Sequence, residues 1–165
     1  MPRYLIIDGY NAMHKIRELD AKKDQSLEAA RLYFIHMLLD FMSRKKRFDK
    51  ICVVFDSKEQ TLGIRSHEYG QIEALYTTHD KDADSVIVDL LRKASSKDKI
   101  SVSSDDNFVR NHARVYGSDI LSIKELEDII MLKQKSARSK IREKEVEGAK
   151  EINEELKKHW GLKWT

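Results

Sequence analysis

Four aspartates occupy positions where an α/β sheet would bring them together. Asp8, Asp56 and Asp105 each end an apolar run, in YLIID, KICVVFD and KISVSSD, and Asp84 lies at the start of the helical pattern after IEALYTT. The carboxyl ends of parallel strands, and the helix starts that follow them, share one edge of the sheet. We therefore expect these four carboxylates to converge although they are far apart in the sequence.

Converging carboxylates favour a bound cation. Two unit charges about 4 Å apart repel each other by roughly 4 kcal/mol at an effective dielectric constant of about 20, so the cluster alone would take up protons or move apart. Oxygen ligands with open water positions suit Mg²⁺ or Mn²⁺, which can lower the pKa of a water and offset charge on a phosphodiester. The acids predict phosphodiester hydrolysis, with a turn or helix-cap role as the alternative for each of them.

Three neighbouring residues are open to two interpretations. Asn11 follows Asp8 in DGYN, where it can face the same edge or cap a short helix. Asp82 is predicted to be the N-cap of the helix that carries Asp84, whereas Asp84 falls on the inward apolar stripe of that helix. Asp106 is most simply a cap or first-turn residue, with a metal role as the alternative. Asp82 and Asp106 are therefore kept as candidate additional acids.

The elements that must position these residues alternate along the chain. Strands are predicted in the four runs above and more weakly in DILSI, and helices in SLEAARLYFIHMLLDFMSRKKR, DADSVIVDLLRKA and DNFVRNHARVYG. The first helix would be capped by Asp24 or Ser26, and Gly117 would end the last. This alternation predicts an α/β fold with a parallel sheet and helices on both faces. The linker SKEQTLGIRSHEYGQ has little periodicity and is predicted to be a surface loop.

Basic side chains gather in two runs. The first is RKKR at residues 44–47, and the second lies within a helical pattern from Lys124 to near Trp160, where residues 133–144 carry six basic side chains and one acid. A charge run is commonly just a solvated face, but beside a phosphodiester site it would hold the RNA backbone. The residues assigned to RNA binding are Arg44, Lys45, Lys46, Arg47, Arg65, Lys133, Lys135, Arg138, Lys140 and Arg142.

Composition restricts the class of protein. The 165 residues suit one domain of ordinary size, and the net charge of +3 excludes a uniformly basic nucleic-acid coat protein. Cys52 has no second cysteine to pair with, which excludes a disulfide framework or a cysteine-based zinc site and favours a reducing cytoplasm. No apolar stretch has the form of a signal peptide or the length of a membrane span, so no membrane association is expected.

Four segments carry a family resemblance through their order and spacing: LIIDGYNAMH, VVFDS, IEALYTTHDKDADSVIVDLL and VSSDDNFVR. In these segments the chain resembles the YacP-like NYN-domain ribonucleases, a branch of the PIN-like nucleases. The resemblance implies a three-layer α/β/α sandwich with a central, mainly parallel sheet. We divide the chain into a nuclease domain over residues 1–132 and a basic helical extension over residues 133–165.

The resemblance also implies an activity and a catalytic set. It implies an endoribonuclease that depends on Mg²⁺ or Mn²⁺ and cleaves RNA, with translated messenger RNA at the ribosome as its setting. Carried over position by position, the catalytic residues are Asp8, Asn11, Asp56, Asp84 and Asp105, with Asp8, Asp84 and Asp105 as metal ligands. Two departures are an acid at Asp82, where such relatives usually carry a small hydroxyl residue, and the acid Asp106 after the SD pair. An extra acid would change the number of metal ions or the substrate.

Two other functions fit parts of the pattern. A catalytically silent RNA-binding module of the same fold would lose the acids, and all four are present. A phosphoaspartate protein also places an aspartate at a strand end, but a phosphatase of the haloacid-dehalogenase type needs a second Asp where this chain has Tyr10. A receiver domain, the other phosphoaspartate protein considered, would leave Asp84 without a role. It would also need a basic residue at the end of the last strand, and DILSI has none. The sequence favours a metal-dependent endoribonuclease.

Overall fold

The computed structural model of the protein describes residues 1–57, 65–78 and 80–131. The elements are β1 (Arg3–Asp8), α1 (Gly9–Lys15), α2 (Arg17–Lys23), α3 (Leu27–Arg44), β2 (Lys50–Phe55), β3 (Arg65–Tyr69), β4 (Ile72–Tyr76), α4 (Ala83–Lys93), β5 (Lys99–Ser103), α5 (Asn107–Val115) and β6 (Asp119–Leu121). Residues 123–131 are also helical. The predicted extension over residues 133–165 lies outside the described residues.

The strands form one sheet in the order β3-β4-β2-β1-β5-β6. β1 pairs in parallel with both β2 and β5, and the outer pairs β2–β4 and β5–β6 are parallel as well. Only β3, among the strands of the described chain, runs antiparallel to its neighbour, β4. The mainly parallel sheet expected from the alternating pattern is confirmed.

Helices cover both faces of the sheet. Side chains along a strand alternate between its two faces, and Ile6, Val54 and Val102 pack on one of them against a cluster formed by α4 and α5. On the other face α1 contacts β1 and β2, and α3 contacts β4. The Ser26 side chain caps α3 by accepting a hydrogen bond from the Ala29 amide at 2.9 Å. The α/β/α layering is therefore confirmed, with Ser26 as the cap.

Two local expectations differ from the structure. The linker after β2 was expected to be a surface loop, but its second part forms the edge strand β3 and pairs with β4. Four of the five β3 residues are exposed, so the strand lacks the apolar alternation that reveals a half-buried one. For the segment after β1, the sequence suggested a short helix only as an alternative, and the structure has the two helices α1 and α2 there. Each of these helices has only seven residues, too few for a clear apolar stripe.

Among the described residues, no helix is long and apolar enough to cross a membrane.

Candidate active site

A pocket opens at the carboxyl ends of β1 and β5, where the chain changes direction in the sheet. From β1 the chain passes through helices on one face to β2, whereas α5 follows β5 on the opposite face. The helices therefore diverge and leave a crevice between two neighbouring strands, which is where open α/β sheets bind ligands. The pocket is lined by Asp8, Tyr10, Asn11, Asp56, Asp82, Ala83, Asp84 and Asp106.

Asp8 is the buried acid of this pocket, with only 2% of its surface exposed. Its Oδ2 accepts hydrogen bonds from Asn11 Nδ2 at 2.6 Å and from Ser104 Oγ at 3.0 Å. Its Oδ1 accepts one from the Asn11 amide at 3.4 Å, which makes Asp8 the N-cap of α1. Burial raises the pKa of Asp8, while the bonds from Asn11 and Ser104 oppose that rise. Asn11 thus faces the site and is not the cap of the helix.

Gly9 allows α1 to begin directly against β2. A Cβ at this position would lie 2.6 Å from the Phe55 ring and 2.7 Å from the Val54 carbonyl oxygen. Real Cβ atoms do not approach backbone oxygens so closely, and the Val54 carbonyl belongs to a central strand that cannot move alone. Glycine at this position therefore brings Tyr10 and Asn11 to the mouth of the pocket.

Asp56 holds the start of α4 at the edge of the sheet. Its Oδ1 accepts hydrogen bonds from the Ala83 amide at 3.1 Å and from Thr77 Oγ1 at 3.0 Å. The Asp56 carbonyl accepts a further hydrogen bond from the Arg31 guanidinium at 2.7 Å. Because Ala83 is the first residue of α4, these contacts fix the position of Asp84, which comes next.

Asp84 has the strongest electrostatic perturbation among the pocket acids. Burial, as the largest cause, and then the charges of Asp106, Asp8, Asp82 and Asp56 together raise its pKa to about 6. Within the described chain no group donates a hydrogen bond to its carboxylate. Within the described residues, burial and the neighbouring acids therefore disfavour the charge of Asp84, and no hydrogen bond offsets them.

Asp82 and Asp106 are both N-caps, as the sequence predicted. Asp82 Oδ1 accepts from the Ser85 amide at 2.8 Å, and the bonds from Ser85 lower the pKa of Asp82. Asp106 Oδ1 accepts from the Phe108 and Val109 amides at 2.8 and 3.2 Å. Both residues also line the pocket. A capping role thus leaves the second oxygen of each carboxylate for other contacts.

Asp105 does not line the pocket, although the sequence analysis placed it with the other acids. Its Oδ2 accepts a hydrogen bond from Lys15 Nζ at 2.8 Å, and its Oδ1 accepts one from the Ile123 amide at 3.0 Å. Burial raises the pKa of Asp105, but the bonds from Lys15 and Ile123 outweigh burial and hold that pKa below its usual value. Both oxygens are engaged, so Asp106 stands in the place that the sequence analysis gave to Asp105.

The donor set of the pocket suits a hard divalent cation. Its acids offer carboxylate oxygens, which Mg²⁺ and Mn²⁺ prefer, and a cation would relieve the repulsion around Asp84. In the part of the chain that the structure describes, no three His, Cys, Asp or Glu side chains could hold an ion together. Mg²⁺ usually keeps several waters and binds through one or two carboxylates. The residues therefore fit a hydrated ion and not an ion enclosed by the protein.

The basic residues assigned to RNA binding lie in different places. The run at residues 44–47 precedes β2, at the amino end of the strands, and the Lys46 carbonyl accepts a hydrogen bond from Arg3. At a rise of about 3.3 Å per residue this run lies on the order of 20 Å from the pocket, so the expectation that it lies beside the site is wrong. Arg65 pairs in register with Tyr76 at the carboxyl end of β4 and is therefore at the same edge as the pocket. The others, Lys133 to Arg142, lie outside the described residues.

Several residues that shape the site were not among those predicted from the sequence. Ser104 is fully buried and joins Asp8 to the Asp106 amide, with distances of 3.0 and 3.1 Å. Thr77 bonds Asp56, and Tyr10 lines the pocket. A small hydroxyl residue next to a strand-end acid, as in SSD and YTT, is the sequence signal that could have identified the first two.

Comparisons with known proteins agree with this fold. The family model described as YacP-like NYN domain matches residues 5–165. A crystal structure of Rae1 (YacP) from Bacillus subtilis has 24% sequence identity and a TM-score of 0.67, covering 98% of this chain and 93% of that chain. A structure of a point mutant of the same protein has 22% identity and a TM-score of 0.68, covering 93% and 89%. These identities show a shared fold.

A comparison with curated protein sequences finds no match. The family model nonetheless covers nearly all of the sequence given, including all four segments that carry the resemblance. The chain therefore belongs to the YacP-like NYN domain family, a nuclease-type family.

Proposed function

We propose that this protein is a divalent-metal-dependent endoribonuclease that hydrolyses phosphodiester bonds of single-stranded or messenger RNA. The observation that carries the proposal is the gathering of Asp8, Asp84 and Asp106 in one pocket between β1 and β5, where burial and the neighbouring charges raise the pKa of Asp84. Unneutralised carboxylates destabilise a fold, so a site that retains them needs a cation for its function. Membership of a nuclease-type family supports phosphodiester hydrolysis as the chemistry.

Asp84 and Asp106 are the residues that would hold Mg²⁺ or Mn²⁺ directly, with Asp8 bonding to the waters around the ion. Asp106 replaces Asp105 in this proposal because Asp106 lines the pocket, whereas Asp105 does not and is paired with Lys15. When bound, such an ion supplies a water of lowered pKa and neutralises charge on the phosphodiester. Asp56 acts through α4 and positions Asp84.

Asn11 orients groups at the base of the pocket. Its Nδ2 donates to Asp8 at 2.6 Å and lies 3.4 Å from Ser104 Oγ, so the amide is held by both partners. This arrangement uses the donor side of the amide and leaves its carbonyl oxygen to accept a hydrogen bond from a water. Asn11 would thus keep the attacking water and the Asp8 carboxylate in fixed positions.

Messenger RNA presented by the ribosome, in the cytoplasm, is the setting we propose on the basis of the sequence resemblance. Naked RNA and ribosome-bound RNA of the same sequence would be incubated with the full chain and Mn²⁺, and the products mapped. We expect cleavage that EDTA abolishes, with higher rates on ribosome-bound RNA. Equal rates on the two substrates would contradict the ribosome setting and leave the nuclease assignment intact.

The matched test of the site compares two aspartates on α4. Asp84→Asn should lose metal-dependent cleavage, whereas Asp89→Asn should keep it because Asp89 pairs with Lys81 on the surface at 2.9 Å. Binding of Mn²⁺ measured by calorimetry should fall in the first variant only. RNA binding by the unaltered chain without any metal-dependent cleavage would refute the proposal and favour a silent RNA-binding module.

A further inference from the structure

The chain contains the same arrangement of three residues twice, on two of the helices that begin at the pocket. Asp8, Tyr10 and His14 in DGYNAMH have the spacing of Asp106, Phe108 and His112 in DNFVRNH. In each case the aspartate is the N-cap, the aromatic residue is the second of the helix and the histidine follows one turn later. The repeat is therefore structural as well as sequential.

Each aromatic ring packs against its histidine and remains exposed. The ring centroids of Tyr10 and His14 are 4.2 Å apart, and those of Phe108 and His112 are 4.3 Å apart. Tyr10 is nevertheless 58% exposed and Phe108 50% exposed. Single exposed aromatic residues are common on protein surfaces. Two exposed rings, each packed against a histidine at the start of a helix near one acidic pocket, instead indicate a binding role.

Hydrogen bonds hold the two histidine rings in place. His14 Nδ1 accepts from Lys23 Nζ at 2.6 Å, because an ammonium group can only donate. His112 Nδ1 donates to the Phe108 carbonyl at 2.8 Å, because a carbonyl can only accept. The fixed histidines restrict the movement of the aromatic rings packed against them. Stacking of a ligand on either ring therefore costs less side-chain conformational entropy.

The two rings belong to helices on opposite faces of the sheet. Tyr10 lines the pocket and belongs to the helix on one face of the sheet, and Phe108 begins the helix on the other face. Ser104 joins the two caps, since its hydroxyl lies 3.0 Å from Asp8 Oδ2 and 3.1 Å from the Asp106 amide. These two hydrogen bonds therefore link the starts of the two helices that carry the rings.

We propose that Tyr10 and Phe108 stack on two unpaired bases of single-stranded RNA, one on each side of the phosphodiester bond at the acids. This inference rests on the proposed function and specifies its substrate as unpaired RNA. Bases in a duplex already stack on their neighbours and cannot cover both rings, whereas every unpaired base offers a face to an aromatic side chain. The two rings would distinguish unpaired from paired RNA and would not distinguish one base from another.

The test measures dissociation constants of the full chain carrying Asp84→Asn, which is not required to cleave. The probes are a fluorescent oligoadenylate and an abasic ribose-phosphate oligomer of the same length and charge. Tyr10→Ala and Phe108→Ala should each weaken binding of oligoadenylate by about 5- to 150-fold and leave binding of the abasic oligomer unchanged. Tyr10→Phe and Phe108→Tyr should restore the affinity. Tyr116→Ala, which removes a 44% exposed aromatic residue at the far end of α5, is the matched control and should change neither constant.

The outcomes separate this inference from the proposed function. Equal losses on the two probes would mean a structural or electrostatic role and would overturn the inference, as would unchanged affinities or no binding of oligoadenylate. Absence of metal-dependent cleavage by the unaltered chain would overturn the proposed function, yet a loss confined to the base-containing probe would still support stacking. Cleavage of duplex RNA as fast as single-stranded RNA would contradict the inference and leave the nuclease assignment in place.

Discussion

Replacing Asp84 by Asn should stabilise the protein in the absence of divalent metal ions. Burial and the neighbouring carboxylates raise the pKa of Asp84 from its ordinary 3.8 to about 6. A difference of two pKa units corresponds to about 3 kcal/mol, and solvent screening at this partly exposed side chain reduces the effect to about 1 kcal/mol. For a chain of this length that would raise the Tm of Asp84→Asn by about 2 to 4 °C above that of the unaltered protein at pH 8.

The sign of this effect depends on pH. Between the unfolded pKa and the raised folded pKa the native state binds more protons than the unfolded state, so stability falls as pH rises through this interval. The favourable contribution of protonated Asp84 is therefore complete below about pH 3.8 and lost above about pH 6. The Tm difference between the variant and the unaltered protein should grow from near zero at pH 3.5 to its full value at pH 8.

Thermal unfolding followed by circular dichroism at both pH values, with EDTA and with Mg²⁺, tests this reasoning. At a hundredfold excess over its Kd, Mg²⁺ should raise the free energy of unfolding of the unaltered protein at pH 8 by about 2.7 kcal/mol and so raise its Tm. The Tm of Asp84→Asn should rise much less. Asp89→Asn is the control and should respond to Mg²⁺ like the unaltered protein. A lower Tm for Asp84→Asn than for the unaltered protein in EDTA at pH 8 would refute the claim that the charge is uncompensated.

Three further predictions address the cap, the backbone and the basic extension. Asp82→Asn should keep most of the cleavage rate at saturating Mn²⁺ and change stability by less than about 0.5 kcal/mol, since Asn caps nearly as well as Asp; a complete loss of activity would make Asp82 a ligand. Gly9→Ala should destabilise the fold by about 1 to 3 kcal/mol in urea unfolding, because its Cβ would lie 2.7 Å from the Val54 carbonyl oxygen; an unchanged midpoint would contradict this close approach. Ending the chain after Lys133 should flatten the salt dependence of RNA binding by about 0.7 per lost phosphate contact, and an identical slope would make the extension a solvated appendage.

The sequence predicted the elements that carry an apolar pattern and missed those that do not. β1, β2 and β4 are mostly buried and were recognised from their apolar runs. The edge strand β3 has four exposed residues, so its register is set by pairing with β4 and not by a pattern of its own. The short helix α2 packs against its neighbours α1 and α3, and this packing stabilises it more than a helical pattern of its own.

The acids could be predicted as a group, but not sorted completely. The apolar stripe of α4 distinguished Asp84 from Asp82, because the helical period places Asp84 on the inward face and leaves Asp82 as the residue before the helix. No such period distinguishes Asp105 from Asp106, which follow the end of β5 in irregular backbone. Their orientation is decided by Lys15 and Ile123, which are remote in sequence and engage Asp105. Tertiary contacts thus determine which of the two adjacent carboxylates lines the pocket.

The choice between a helix cap and an active-site acid, which the sequence left open, is not a choice between exclusive roles. Asp56 is not the N-cap of a helix, yet its Oδ1 accepts a hydrogen bond from the first amide of α4. Asp106 is the N-cap of α5, and its Oδ1 accepts hydrogen bonds from two amides of that helix. Each of these residues uses one oxygen to fix a helix and still lines the pocket with Asp84. Capping would therefore supply the rigidity that the proposed role requires, because a carboxylate with one oxygen held by backbone amides cannot rotate freely. Asn preserves the cap and removes the charge, so Asn variants separate the two roles where Ala variants would confound them.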